Sequence, residues 1–243
     1  MKLRITIFFA FLMSGMLSMA QYSDADLFRA YLATDMKTWD KYIHAHNFDK
    51  LSNKEKMRYI NYEYGYVATA IDEKAPDAEK HLQDFEKHIA ALKGVLPKAT
   101  VLDYESSCAA YKALMNKAKF ISYGLESFNK IKEAYELDSL NPYVLTLKGN
   151  VDFYAPKAFG GNKRRALGYF YKAQKIYEQK GDTVNNWNYL SARLCSIQCE
   201  EKLGNVDKAV SLAKKLLQRY PDYAYLRDTY LPELLEKQAK KKK

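Results

Sequence analysis

Apolar residues recur at helical spacing along almost the whole chain, and the two-residue alternation of a half-buried strand is nearly absent. Ile60, Tyr64, Val67 and Ile71 form one stripe, and Leu82, Phe85, Ile89 and Leu92 form a second. Val101, Tyr104, Cys108, Tyr111 and Met115 make a third, and Val206, Val210, Ala213, Leu217 and Tyr220 a fourth. Pro76, Asp77 and Glu79 open a helix that Gly94 and Pro97 close. The stripes come in pairs divided by short breaks. They predict helical hairpins at 24–33 with 35–46, 54–72 with 76–93, 99–119 with 122–137, 141–156 with 162–180, and 185–203 with 205–220. A last helix is expected over 222–239. Second helices begin near 76, 122, 162 and 205, a repeat of about 40–46 residues. A hairpin this thin cannot bury its apolar face alone, so successive hairpins must stack. A single compact bundle is the competing architecture.

The later hairpins carry a finer pattern. Ala166, Phe170 and Ala173 fall in the order A-x3-F-x2-A, with Gly161 five residues earlier. Gly204 and Ala209 repeat that offset, and Pro221 closes their unit. Gly149 takes the small position of a first helix; Tyr111, Leu114, Ala134 and Asp138 fall at related places, with Gly124 as an out-of-register turn. Over about 108–221 this pattern resembles the tetratricopeptide repeat. Residues 22–98 show hairpins without the repeat signature. Two departures stand out. About five extra residues precede Gly161, similar to a Pro-x-x-x-Gly-Gly variant turn of some exported bacterial repeat proteins, and Ser196, Ile197 and Glu200 replace the usual large, small and aromatic residues. The resemblance implies an all-α fold over 21–239: a right-handed superhelix of about five stacked hairpins with a C-terminal capping helix. It also implies a concave face lined by first helices, bearing Lys112, Asn116, Thr146, Asn150 and Gln198. Lys112 and Asn116 match the opening pair of the family's carboxylate clamp. Leu147, Ser191 and Cys195 stand where the rest should be, which leaves a generic polar groove.

The ends change the picture most. Lys2 and Arg4 precede the apolar run Ile5–Leu12, and Ser18-Met19-Ala20 follows, the layout of a signal peptide cut after Ala20. No Cys follows the cut, so no lipid anchor is expected, and a short leader with Gln21 next resembles exported proteins of the Bacteroidetes group. No later stretch is long and apolar enough to span a bilayer. The formal charge of +10 falls by the two leader charges to about +8. Lys240 to Lys243 supply four of these as an expected disordered tail, either simply solvated or drawn to an anionic surface. Export argues against nucleic acid as a partner. Cys108, Cys195 and Cys199 are too few for a disulfide framework and read as small core residues.

Chemistry is sparse. The chain has no HExxH, GxSxG, phosphate loop or dinucleotide fingerprint, so neither an enzyme nor a cofactor is implied. His44 and His46 point apart on a helix, and His81 and His88 could share a face; surface or interfacial histidine explains both pairs, and no metal is expected. Gly160-Gly161 ahead of Lys163, Arg164 and Arg165 invites an anion site, although a turn already accounts for the glycines. The 21 tyrosines are the unusual feature. Tyr59, Tyr62 and Tyr66 form a stripe that is a platform for peptide or sugar if exposed, and hairpin packing if covered. The expectation is a non-catalytic, exported scaffold holding a protein or peptide, associated with the envelope at most peripherally. A glycan-binding module and an envelope hydrolase are the alternatives.

Overall fold

Eleven α-helices and no strand make up residues 22–241, the residues that the computed structural model describes. The expected leader and residues 242 and 243 lie outside them. The helices are α1 Asp24–Leu32, α2 Met36–His44, α3 Asn53–Asp72, α4 Ala78–Ala91, α5 Lys98–Met115, α6 Phe120–Leu137, α7 Pro142–Tyr154, α8 Lys163–Gln179, α9 Trp187–Lys202, α10 Val206–Arg219 and α11 Leu231–Lys241. A π-helical turn, Tyr225–Tyr230, leads into α11.

Local chemistry sets the starts. Ser23 with Asp26 and Ser52 with Glu55 form reciprocal capping boxes on α1 and α3, and the Asn162 and Asn186 side chains cap α8 and α9. Turns follow glycine where the backbone turns left-handed, at Gly160 (φ 88°) and Gly204 (φ 85°). Two expectations need correction. Gly124 lies inside α6; the α5–α6 turn is made by Asn116, whose side chain accepts from the Lys119 N–H. The C-terminal lysines do not begin as a loose tail, because α11 runs through Lys241 and Lys241 donates to the Gly204 carbonyl.

Each helix packs chiefly on its chain neighbours. Ala166, Phe170 and Ala173 on α8 are fully buried, and a Cβ at Gly149 would come within 2.6 Å of the Phe170 ring, so α7 and α8 approach through that missing methyl. Ala209 is likewise buried on α10, while Pro221 follows that helix. In an open solenoid each repeat meets only its neighbours. Here aromatic side chains carry the first helices across to the last. The Trp39 and Trp187 rings meet edge-on at 5.2 Å, Phe28 meets Tyr220 at 5.8 Å, and the Tyr31 and Tyr223 hydroxyls lie 3.1 Å apart. Each large ring withdrawn from water contributes roughly 2–3 kcal/mol. Gly65, mid-helix in α3, makes room for this seam: a Cβ there would lie 2.5 Å from Trp39 and 3.1 Å from Trp187.

Candidate functional site

Closing the chain in this way leaves a cavity of about 870 Å³ between the N-terminal helices and the start of α9. Four helix N-termini reach it. Ser23 and Asp24 come from α1, Ser52 and Glu55 from α3, Tyr143 from the first turn of α7, and Trp187 and Asn188 from α9. Ser23, Ser52, Asn141 and Asn186 each cap one of these ends, and the remaining first-turn N–H groups carry the partial positive charge of the helix. Glu55, which lines the cavity, turns back on its own helix: its carboxylate accepts from the Ser52 hydroxyl at 2.5 Å and from the Ser52 N–H at 2.8 Å, bonds that hold its pKa below the ordinary value. The first turns of α7 and α9 hold no acid.

Arg58 adds a full charge. Its guanidinium donates to Asp24 (2.7 Å) and to the Tyr22 carbonyl (2.5 Å), and lies 4.9 Å over the Tyr42 ring. These bonds use two of its five donors. Tyr42, Tyr62, Tyr143 and Trp187 supply aromatic wall. Burial pushes the Tyr143 phenol up to about 12, so it keeps its proton at neutral pH. The Trp187 indole N–H is buried without a hydrogen-bond partner among the described residues, and such a donor calls for an acceptor. His46 also lines the cavity, with Nδ1 2.6 Å from the Tyr42 carbonyl. A carbonyl only accepts, so the proton sits on Nδ1 and the lone pair of the neutral ring is on Nε2. Asn188 donates to Asn61 across 3.0 Å and ties the two walls together.

The residues placed by the repeat register lie elsewhere. None of Lys112, Asn116, Thr146, Asn150 and Gln198 lines this cavity. Thr146 is buried and bonded to the Pro142 carbonyl of its own helix, so it presents nothing to a concave face. Lys112 pairs with Glu86, Asn116 is the turn residue above, and Asn150 meets the Cys195 thiol at 3.8 Å. Gln198 is half-buried on α9. The aromatic platform is corrected too. Tyr59 and Tyr62 are buried by α2 and the chain ahead of it, Tyr62 showing only an edge to the cavity, and half-buried Tyr66 packs on His81. The anion site at Gly160-Gly161 dissolves as well: Arg165 grips buried Asp152, and Lys163 donates to the Phe153 carbonyl. Sequence spacing missed the cavity because residues 22–62 meet residues 143–188 only after closure. The amide-rich run Asn185-Asn186-Trp187-Asn188 is the one local sign of it.

Over its described residues the chain thus forms an all-helical fold with an aromatic-walled cavity between its N-terminal helices and the start of α9. Its fold is similar to that of the HusA haemophore from Porphyromonas gingivalis, with a TM-score of 0.53 and 17% identity over 75% of this chain and 96% of that one. At that identity the likeness is one of fold. No family model matches the chain, and no curated protein matches it.

Proposed function

We propose that the chain is a non-catalytic, exported binding protein whose hairpins are tetratricopeptide-like units in a right-handed superhelix. Residues 1–20 are read as the leader removed on export. Its ligand is a flat, apolar, anionic molecule of the haem class, seated in the cavity beside Trp187. The observation that carries this is one cavity joining aromatic walls, four helix N-termini and Arg58. Aromatic rings suit a planar macrocycle, and N-termini with Arg58 suit its carboxylates. His46 offers a lone pair for the metal. The fold of a haemophore gives the reading its second support. Two of the three acids that line the cavity, Asp24 and Glu55, are engaged by Arg58 and Ser52; Asp182 is the third.

Absorbance titration with hemin is the test. Saturable 1:1 binding is expected. Arg58→Ala and Tyr143→Ala each should weaken it about tenfold, the loss of roughly 1.4 kcal/mol. Binding that is absent, or indifferent to both changes, would refute the assignment.

A protein partner is the second reading, and one observation favours it. Leu114, Met115, Phe120, Ile121 and Leu125 form an exposed apolar strip at the α5–α6 turn, beside Lys112 and Asn116. Contiguous exposed apolar surface of this kind marks contact sites. Pull-down from an envelope fraction should return a partner that Phe120→Ser and Ile121→Ser together release; a partner retained by that variant excludes the strip. The glycan reading has lost its motive with the burial of Tyr59 and Tyr62.

A further inference from the structure

Two Asp-x3-His pairs face one another outside the cavity. Asp40 and His44 occupy successive turns of α2, and Asp77 and His81 do so at the start of α4. On a helix the i,i+4 spacing puts both side chains on one face. The Asp40 carboxylate lies 3.0 Å from His44 Nδ1, and the Asp77 carboxylate 3.2 Å from His81 Nε2. The two imidazoles meet edge-on with ring centres 5.6 Å apart. Donor atoms of Asp40, His44 and His81 all fall within 4.8 Å of one another. Asp77 precedes α4 without capping it, so its carboxylate is not spent on the backbone.

We propose that Asp40, His44 and His81 form a binding site for a divalent transition-metal ion, zinc foremost, that staples α2 to α4, with Asp77 beside it. Two imidazoles and one carboxylate, with water in the fourth position, match zinc's four-coordinate preference, and imidazoles disfavour calcium or magnesium. Ligands in a tetrahedral zinc site sit about 3.3 Å apart around bonds of about 2.0–2.1 Å. The donors here need to close by about 1.5 Å beyond that. The anchor is firm: His81 is 8% exposed and packs perpendicular to the Tyr66 ring at 4.9 Å. The Tyr66 hydroxyl lies 3.5 Å from His81 Nε2, the nitrogen that also faces Asp77, so Nδ1 is the nitrogen of His81 left without a protein partner among the described residues. His44 is 59% exposed, and its Nδ1 lies 3.0 Å from the Asp40 backbone carbonyl, which leaves Nε2 as the nitrogen offered to a metal.

Zinc chloride titrated into the chelator-treated full chain, followed by calorimetry, tests the site, with cobalt(II) as the spectroscopic probe of geometry. One equivalent should bind, cobalt should give tetrahedral d–d bands, and His44→Ala and Asp40→Asn should each weaken affinity at least about tenfold. The His44→Ala and Asp40→Asn pair keeps the test decisive where His81→Ala fails to fold. Absence of binding at millimolar zinc, or affinity untouched by His44→Ala and Asp40→Asn, would overturn the site. Neither result bears on hemin binding.

Discussion

Asp103 shows what burial does to a single group. It sits within α5 with one carboxylate oxygen lacking any partner among the described residues, and burial raises its pKa from 3.8 to about 8. The folded state therefore keeps a proton that the unfolded chain releases. Its contribution to stability is fully present below pH 3.8 and is lost as the pH climbs toward 8, several kcal/mol in all. Asp103→Asn removes the ionisation and should flatten this fall. Urea midpoints at pH 5 and pH 8 check it: wild type should lose clearly more than the variant, and parallel losses would contradict the assignment. Nothing in the apolar pattern singles Asp103 out, because it lies between the core residues Leu102 and Tyr104 of a helix that is apolar on most sides.

Helices were the legible scale. A stripe such as Ile60, Tyr64, Val67 and Ile71 is a local record of which face turns inward, and each hairpin's stripe is complete within its own residues. Boundaries followed the capping and glycine signals, and failed where a side chain substituted for them: Asn116 made a turn without glycine. The tetratricopeptide pattern marked the tightest helix pair, where Gly149 of α7 receives the Phe170 ring of α8. Gly149→Ala gains helix propensity worth about 1 kcal/mol but drives a methyl into that ring, and overpacking of this kind costs about 1–3 kcal/mol. The expected outcome is a lower thermal midpoint. A midpoint that rises would show that α7 and α8 can separate freely.

At the scale of the molecule, the fold is decided by contacts that spacing does not encode. Trp39 meets Trp187 and Asn61 meets Asn188 across more than a hundred residues, and the cavity exists only because they do. Gly65, set mid-helix against its own propensity, is the residue that betrays a large neighbour. The repeat register placed a groove on first helices, which is sound for an open array. In a chain that curls back on itself, the residues it picked lie outside the cavity that closure forms. The same closure buried Tyr59 and Tyr62, turning a supposed shelf into core.

The chain has two tryptophans, which makes the central claim measurable from within: Trp187 lines the cavity and Trp39 packs behind it. Trp39→Phe leaves Trp187 as the sole reporter. Hemin or its metal-free porphyrin should quench that emission to a plateau at one equivalent, and the plateau should vanish with Arg58→Ala and Tyr143→Ala combined. Emission that declines without saturating, or saturates equally in the combined variant, would contradict a ligand seated beside Trp187.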